Sequence, residues 1–79
     1  MTKLPLITSR EMEKLLLHLG FKRKRQAGSH VFYKHSDGRI TTIVPFHPGE
    51  DLGRGLIRKI LRDIKVDQEE YLQLRQKII

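Results

Sequence analysis

The sequence predicts a small α+β domain in which one helix precedes a three-stranded antiparallel sheet and a second helix follows it. Apolar residues with helical spacing occupy the first quarter of the chain, β-forming runs separated by short turns occupy the middle, and a second helical spacing follows a loop rich in glycine and proline. The chain has 79 residues and shows no internal repeat or linker, so residues 1–79 are expected to form a single domain.

The first helix is predicted over residues 9–19. Thr8 and Glu11 have the spacing of a capping box, in which two side chains satisfy backbone N–H groups that a helix start leaves free. Gly20 is a suitable residue for the end of the helix. Between these signals, four apolar residues have the i, i+3, i+4, i+7 spacing of one helical face: Met12, Leu15, Leu16 and Leu19.

The middle of the chain predicts three strands. The first, residues 21–27, is highly charged, and the second, residues 30–35, is rich in β-forming residues. The third, residues 39–44, is expected to stop at Pro45, and the turn before it is predicted at residues 36–38. Short turns between successive strands are typical of an antiparallel meander.

The second strand indicates which side chains share a face of the sheet. A two-residue period places His30, Phe32 and Lys34 on the same face. The pattern alone does not assign that face to the core or to solvent.

A loop rich in glycine and proline leads into the second helix. Glu50 and Asp51 are expected to support the start of that helix, because acidic side chains suit the helix dipole there. Asp67, followed three residues later by Glu70, predicts a short C-terminal helical tail, with a frayed end of the chain as the alternative. The apolar face of the second helix is given by Leu56, Ile57, Ile60, Leu61 and Ile64.

Length, cysteine content and hydropathy exclude several classes of function. Doubly wound nucleotide-binding folds and barrel enzymes need a longer chain. The absence of cysteine excludes disulfides, thiolate zinc sites and cysteine nucleophiles. No apolar run approaches the ~20 residues of a membrane-spanning helix, and the N-terminus has no signal-peptide core. We therefore expect a cytoplasmic protein.

Positive charge is concentrated in the first half of the chain. The formal net charge is +7, and residues 1–39 hold nine Lys/Arg against three Asp/Glu, whereas residues 40–79 hold seven against six. A polyanion is the natural partner, because neutralised phosphates release counterions. A solvated basic surface that only aids solubility is the alternative, and a membrane surface is disfavoured because the basic run suits a strand. The excess of positive charge in the first half is concentrated at Lys22, Arg23, Lys24 and Arg25, and Lys34 and Arg39 follow.

Among the histidines, His30 has the surroundings best suited to catalysis. It follows Gly28 and Ser29 directly after the basic strand, and glycine lets a phosphodiester approach the backbone closely. An imidazole accepts and returns protons near neutral pH, and RNA carries its own nucleophile, the 2′-hydroxyl. The alternative is a strand histidine satisfied by a backbone partner.

The other histidines are expected to have structural or solvent-exposed positions. His18 is predicted to face solvent or the helix end, His35 to be a solvated turn histidine, and His47 to fix its loop. A metal site would pair His47 with His30 and recruit a carboxylate that follows His47. Two histidines on separate loops without a third spaced ligand are weak evidence, so we expect neither a metal nor a cofactor.

Four motifs stand out in the sequence: Gly20-Phe21, Gly28-Ser29-His30, the loop Val44-Pro45-Phe46-His47-Pro48-Gly49 and the helix Ile57-Arg58-Lys59-Ile60-Leu61. Together they resemble the HicA family of bacterial toxins, also called the YcfA-like family, over roughly residues 5–72. Members of that family are mRNA interferases of type II toxin–antitoxin systems. They resemble a double-stranded-RNA-binding domain, α-β-β-β-α, with the helices packed on one face of the sheet.

The resemblance implies a metal-independent endoribonuclease that cleaves mRNA, with His30 as general acid/base and a HicB-type antitoxin as inhibitor. The stretch after Tyr71 departs from the family because it is longer than the usual ending, which makes it a candidate contact for the antitoxin. The basic run is also denser than the family pattern requires. Candidates for RNA binding are Lys22, Arg23, Lys24, Arg25, Gly28, Ser29 and Lys34.

Two other functions remain open from the sequence. The first is a non-catalytic RNA-binding module of double-stranded-RNA-binding-domain shape, in which His30 only contacts sugar or phosphate. The second is a subunit whose main role is protein contact, which fits the apolar tail but leaves the basic cluster without a role.

Overall fold

The elements follow the order α-β-β-β-α-α along residues 4–79, the part of the chain that the computed structural model describes. The first three residues of the predicted domain lie outside the described residues. The strands form an antiparallel sheet in the order β1-β2-β3, so β2 is the central strand. The predicted α+β fold is confirmed. The bounds are α1 Ser9–His18, β1 Phe21–Ala27, β2 His30–His35, β3 Thr41–Pro45, α2 Arg54–Asp63 and α3 Gln68–Ile78.

The helices cover one face of the sheet and leave the other open. Helices α1 and α2 contact the sheet, and α3 packs on α1. On β2, Val31 and Tyr33 are buried beneath the helices, whereas His30 and Lys34 are exposed on the opposite side. The largest fully buried side chains of the core come from the segment before α1, all three helices, β2 and β3: Ile7, Met12, Leu15, Leu16, Val31, Tyr33, Val44, Ile57, Ile60 and Tyr71.

The start of α1 confirms the predicted capping box. The backbone N–H of Glu11 donates to the Thr8 hydroxyl at 3.1 Å, and the Glu11 carboxylate accepts from the Thr8 backbone N–H at 2.8 Å. The helix ends at His18, one residue before the predicted end. Gly20 then adopts a φ of +94°, and a Cβ there would lie 3.1 Å from the His35 ring, so both backbone conformation and space favour glycine.

The C-terminal tail is a packed helix rather than a frayed end. Helix α3 has 11 residues, and the Asp67 side chain caps it by accepting from the Glu70 backbone N–H at 2.8 Å. Tyr71 is fully buried, and its hydroxyl donates to the Pro5 carbonyl at 2.6 Å. The tail is therefore joined to the segment that precedes α1.

Strand β3 differs from its predicted bounds at both ends. It begins at Thr41 because the turn extends further than predicted, with the Arg39 backbone N–H donating to the Asp37 carboxylate at 2.9 Å. It includes Pro45, which pairs with His30. Proline is tolerated there because β3 is an edge strand, where a missing N–H need not break the ladder.

The expected role of Glu50 and Asp51 at the start of α2 is wrong. The N-cap is Gly53, which makes no side-chain hydrogen bond, and the first turn contains no acidic residue. Asp51 instead forms an isolated antiparallel bridge with Thr8, so the loop pairs with the segment that enters α1. None of the helices within residues 4–79 is long and apolar enough to cross a membrane.

Candidate nucleic-acid interface and active site

A β-bulge in β1 decides which basic side chains lie on the uncovered side of the sheet. The register shifts between Arg23 and Arg25, so Lys24 is the extra residue. With strict alternation, Arg25 would lie on the same side as Arg23, beneath the helices. The bulge places Arg25 on the opposite side, across from Phe32. The uncovered side, which we call the open face, comprises Lys22, Arg25, Ala27, His30, Phe32, Lys34, Thr41, Ile43 and Pro45.

Strand pairing arranges the open face in three cross-strand rows. Two residues along a strand span about 6.7 Å, which is therefore the spacing between neighbouring rows. The rows give the face a direction, with a histidine at one end, an aromatic ring in the middle and lysines at the other end. The rows are Ala27–His30–Pro45, Arg25–Phe32–Ile43 and Lys22–Lys34–Thr41.

His30 is the exposed imidazole of the first row. Its cross-strand neighbours, Ala27 and Pro45, are compact and uncharged, so they leave the ring accessible to a large ligand. Within residues 4–79, the imidazole makes no hydrogen bond or ion pair, so no backbone group holds it there. Both ring nitrogens are therefore available to a bound ligand.

The turn before β2 and the loop after β3 meet beside His30. The Phe46 backbone N–H donates to the Ser29 carbonyl at 2.6 Å, which joins the two segments. Gly28 is exposed with a φ of +60°, and a Cβ at that position would meet nothing within 4 Å. The backbone at Gly28 is therefore open to close approach by a ligand.

The centre of the open face is a groove of about 300 Å³. The guanidinium of Arg25 lies over the ring of Phe32, 4.6 Å from its centroid. A second groove of about 290 Å³ adjoins it, and Lys24 and Lys34 line both. The central groove is lined by Lys24, Arg25, Phe32, Tyr33, Lys34, Thr41 and Ile43.

Arg23 has a different environment from the other basic residues of β1. Its Nη2 atom lies 2.5 Å from Oε2 of Glu13 on α1, and its guanidinium lies 5.1 Å from the Phe46 ring centroid. The Tyr33 hydroxyl donates to the same carboxylate oxygen. The hydrogen bond to Glu13 raises the pKa of Arg23. Its charge is thus compensated within the protein.

The Glu13 carboxylate is held in its charged form by the same contacts. Burial alone would raise the pKa of Glu13, but the hydrogen bonds from Tyr33 and Arg23 outweigh it, so its pKa is lowered. Burial, together with the bond to Glu13, raises the pKa of Tyr33. Glu13, Arg23 and Tyr33, which we call the covered network, therefore join α1 to the sheet.

A family model described as HicA toxin of bacterial toxin–antitoxin matches residues 9–66, from the start of α1 through the end of α2. The chain belongs to the HicA toxin family. A search of curated proteins found no significant match. The matched residues include the whole sheet and the Gly28-Ser29-His30 motif, whereas α3 follows them. Membership in the HicA family gives the chain the role of a toxin and implies an antitoxin as its partner.

The prediction of a solvated turn histidine at His35 of this HicA chain is wrong. The half-buried ring places Nε2 3.0 Å from the Leu19 carbonyl, and Nδ1 accepts from the Asp37 backbone N–H at 3.1 Å. It also packs edge to face with Phe21, with 5.0 Å between the ring centroids. His35 therefore ties the end of α1 to the sheet. His18 is exposed in the last turn of α1, in agreement with the prediction.

The remaining histidine of the HicA chain, His47, is exposed in the loop after β3. Its carbonyl accepts from the Glu50 backbone N–H at 3.1 Å, which closes a turn of that loop. In the part of the chain that the structure describes, no three His, Cys, Asp or Glu side chains are grouped so that they could hold a metal ion.

Sequence reasoning missed Phe32 as a member of the site. The two-residue period already placed it between His30 and Lys34, but an aromatic residue in a strand is also typical of a core. A signal was available, because a face that carries both a lysine and a histidine is more often solvated than buried. The placement of Arg25 on the side opposite to Arg23 had no such signal, since a bulge does not show in the residue pattern.

Proposed function

We propose that this HicA toxin is a metal-independent endoribonuclease, an mRNA interferase, in which His30 is the general acid/base. The observation that carries the proposal is an exposed imidazole without a protein partner in the described residues, at the end of a face lined with cations. The proposal takes residues 1–79 as one nuclease domain that acts in the cytoplasm, where mRNA is found.

The proposed reaction uses the nucleophile that RNA supplies. His30 accepts the proton of a 2′-hydroxyl, whose oxygen then attacks the adjacent phosphorus. The bond from phosphorus to the 5′-oxygen breaks, and that oxygen takes up a proton from the imidazolium or from water. The 5′ fragment then ends in a 2′,3′-cyclic phosphate, and the 3′ fragment begins with a 5′-hydroxyl.

Cations and backbone donors near His30 would stabilise the charge that develops on the phosphate. Fixed positive charges contribute most where negative charge increases in the transition state. The predicted backbone donors, Gly28 and Ser29, precede His30 directly. Arg23 contributes less to RNA binding in this proposal, because Glu13 already compensates its charge. The cations proposed to contact RNA directly are Lys22, Lys24, Arg25 and Lys34.

The proposed inhibitor is a HicB-type antitoxin that covers the open face and blocks access to His30. Helix α3 extends beyond the residues that the family model matches, and it presents Leu72, Leu74 and Ile78 as partly buried side chains on the core. These side chains contact the protein's own core. Accordingly, we assign α3 to the stability of the toxin and leave the antitoxin contact to the open face.

The second candidate function is a non-catalytic RNA-binding module. The groove around Phe32 favours it, because cations and an aromatic ring on an open sheet are sufficient to bind RNA without cleaving it. The two functions differ in what His30 does after binding.

The decisive test compares wild type with His30→Ala on a labelled single-stranded RNA in excess EDTA. His18→Ala is the matched control, because His18 is exposed in the last turn of α1 and lines neither groove of the open face. We expect wild type and His18→Ala to produce fragments, and His30→Ala to bind RNA but to cleave it at least about 100-fold more slowly. RNA binding without cleavage by any of the three would establish the binding module instead.

A further inference from the structure

We infer that the middle row of the open face, Arg25–Phe32–Ile43, is a stacking site for one unpaired base of single-stranded RNA. This inference rests on the proposed ribonuclease function and specifies its substrate, because a base held at Phe32 would fix which phosphate lies beside His30. Phe32 is then a residue that binds and orients the substrate.

The middle row offers apolar surface where the rest of the open face is polar. Ile43 is 38% exposed, one of the few large hydrophobic side chains that residues 4–79 expose to this extent. Phe32 is half-buried beside it, with one side of its ring covered by the Arg25 guanidinium. The groove at this row, about 300 Å³, is at the lower end of small-ligand sites, which start near ~300 Å³. A planar ring matches both its size and its lining.

The charges around the groove favour a nucleic acid over an apolar protein segment. Three of its lining residues are cations, Lys24, Arg25 and Lys34, and none is a carboxylate. A base offers a π-face to Phe32 and the guanidinium, and its own phosphates offer negative charge to the lysines. Aromatic rings combined with cations are the means by which sheets bind single-stranded nucleic acids.

The size of the open face favours a single strand over a duplex. Three strands spaced about 4.8 Å apart give a face only about 10 Å wide. Recognition of double-stranded RNA spans about 16 base pairs and uses the sugars and phosphates of its grooves, since the base faces are hidden within the stack. Only an unpaired base can place its face against Phe32.

The order of the rows gives the bound strand a direction. The Phe32 row is about 6.7 Å from the His30 row on one side and from the Lys34 row on the other. A base on Phe32 therefore places a neighbouring ribose near the imidazole and a flanking phosphate near Lys34. Cleavage would occur next to the stacked base.

The absence of tryptophan from the sequence provides a direct probe. Phe32→Trp in a His30→Ala background introduces a fluorophore at the proposed site without permitting cleavage. We expect a short single-stranded RNA to quench this fluorescence to saturation and a duplex of the same sequence to compete poorly. Equal competition by the duplex would overturn the inference.

A second variant tests the ring itself. His30→Ala/Phe32→Leu should bind the single strand at least about fivefold more weakly than His30→Ala, whereas His30→Ala/Leu17→Ala should bind as His30→Ala does. Leu17 is a suitable control because it is 50% exposed on α1 and lines neither groove of the open face. Circular dichroism melting would verify that each variant is folded. Unchanged affinity in folded Phe32→Leu would overturn the inference.

Cleavage by Phe32→Leu with His30 intact separates this inference from the proposed function. If wild type does not cleave but Phe32 is required for binding, the ribonuclease proposal fails and the stacking site stands. If Phe32→Leu cleaves with unchanged KM, the stacking site is wrong and the ribonuclease stands. If Phe32→Leu binds the antitoxin more weakly but binds RNA as the unsubstituted protein does, the middle row belongs to the interface with the protein partner, and the inference is overturned.

Discussion

Arg23 and Arg25, two residues apart in β1, lie on opposite sides of the sheet and have opposite surroundings. Arg23 is paired with the Glu13 carboxylate in the covered network, whereas Arg25 lies over an aromatic ring among cations. The same type of side chain therefore joins a helix to the sheet on one side and remains available to an anion on the other. The comparison teaches that uncompensated charge, rather than the number of basic residues, locates the proposed binding surface.

The two ends of β2 repeat the comparison with histidine. His35 is held by the Leu19 carbonyl and the Asp37 backbone, while His30 has no such partner in residues 4–79. A histidine that is fixed on both nitrogens suits a structural role. One that is exposed beside a basic face suits proton transfer.

Charge reversal on the open face should give the largest change in RNA affinity. We expect Arg25→Glu/Lys34→Glu, in a His30→Ala background, to bind single-stranded RNA at least about tenfold more weakly, with the salt slope reduced by about 1.4 or more. Fluorescence anisotropy between about 50 and 200 mM salt measures both quantities.

The control for that experiment has the same net charge. Arg58→Glu/Lys77→Glu reverses two exposed cations on α2 and α3, away from the open face. A similar loss of affinity in the control would contradict the comparison, because net charge and not the open face would then determine binding.

Single alanine substitutions at the two arginines should separate binding from stability. We expect Arg25→Ala to weaken RNA binding about threefold to tenfold, as the loss of one phosphate or stacking contact does, with little change in unfolding. Arg23→Ala should instead lower the free energy of unfolding by about 0.5–1 kcal/mol, because its pair is partly exposed. Urea unfolding and RNA-binding anisotropy, measured on both variants, would show whether Arg25→Ala mainly weakens RNA binding and Arg23→Ala mainly lowers stability.

Removal of the Glu13 charge should give an effect on stability that depends on pH. Glu13→Gln should lower the free energy of unfolding by about 1 kcal/mol at neutral pH, since three hydrogen bonds to one carboxylate oxygen, two from Arg23 and one from Tyr33, are weakened. The pKa of Glu13 is lower in the folded protein than its ordinary value of 4.5. Its stabilisation is therefore present above about pH 4.5 and is lost as the pH falls through the folded pKa.

Urea unfolding at a series of pH values checks this dependence. The difference between wild type and Glu13→Gln should shrink below about pH 4.5, as the wild-type carboxyl becomes protonated. Glu50→Gln serves as the control because Glu50 is exposed in the loop and no side-chain partner of it is found in residues 4–79. A difference that grows with acid would contradict the role of the covered network.

Local signals allowed much of the fold to be predicted from the sequence. The capping box at Thr8, the two-residue period of β2 and the helical spacing of α2 each depend on residues close together in the chain. The exposure of His30 could not be predicted from the two-residue period of β2, because that period does not show which face of the sheet the helices cover. That choice is made by the packing of distant elements.

The errors have the same physical origin. His35 was expected in solvent because it adjoins a turn, but its partner, Leu19, comes from the end of another element. Asp51 was expected near the helix dipole, but it pairs with Thr8 more than forty residues earlier. The bulge at Lys24 depends on the register with β2 and so could not be read from β1 alone.

The end groups of the RNA fragments test the central claim most directly. The wild-type protein would be incubated with an RNA in excess EDTA, and the fragments identified by mass spectrometry, with a second RNA carrying a 2′-deoxy substitution at the cleaved nucleotide. We predict a 2′,3′-cyclic phosphate on the 5′ fragment and no cleavage of the substituted RNA. A 3′-hydroxyl on that fragment, or cleavage without the 2′-hydroxyl, would contradict a mechanism in which His30 activates the nucleophile of the RNA.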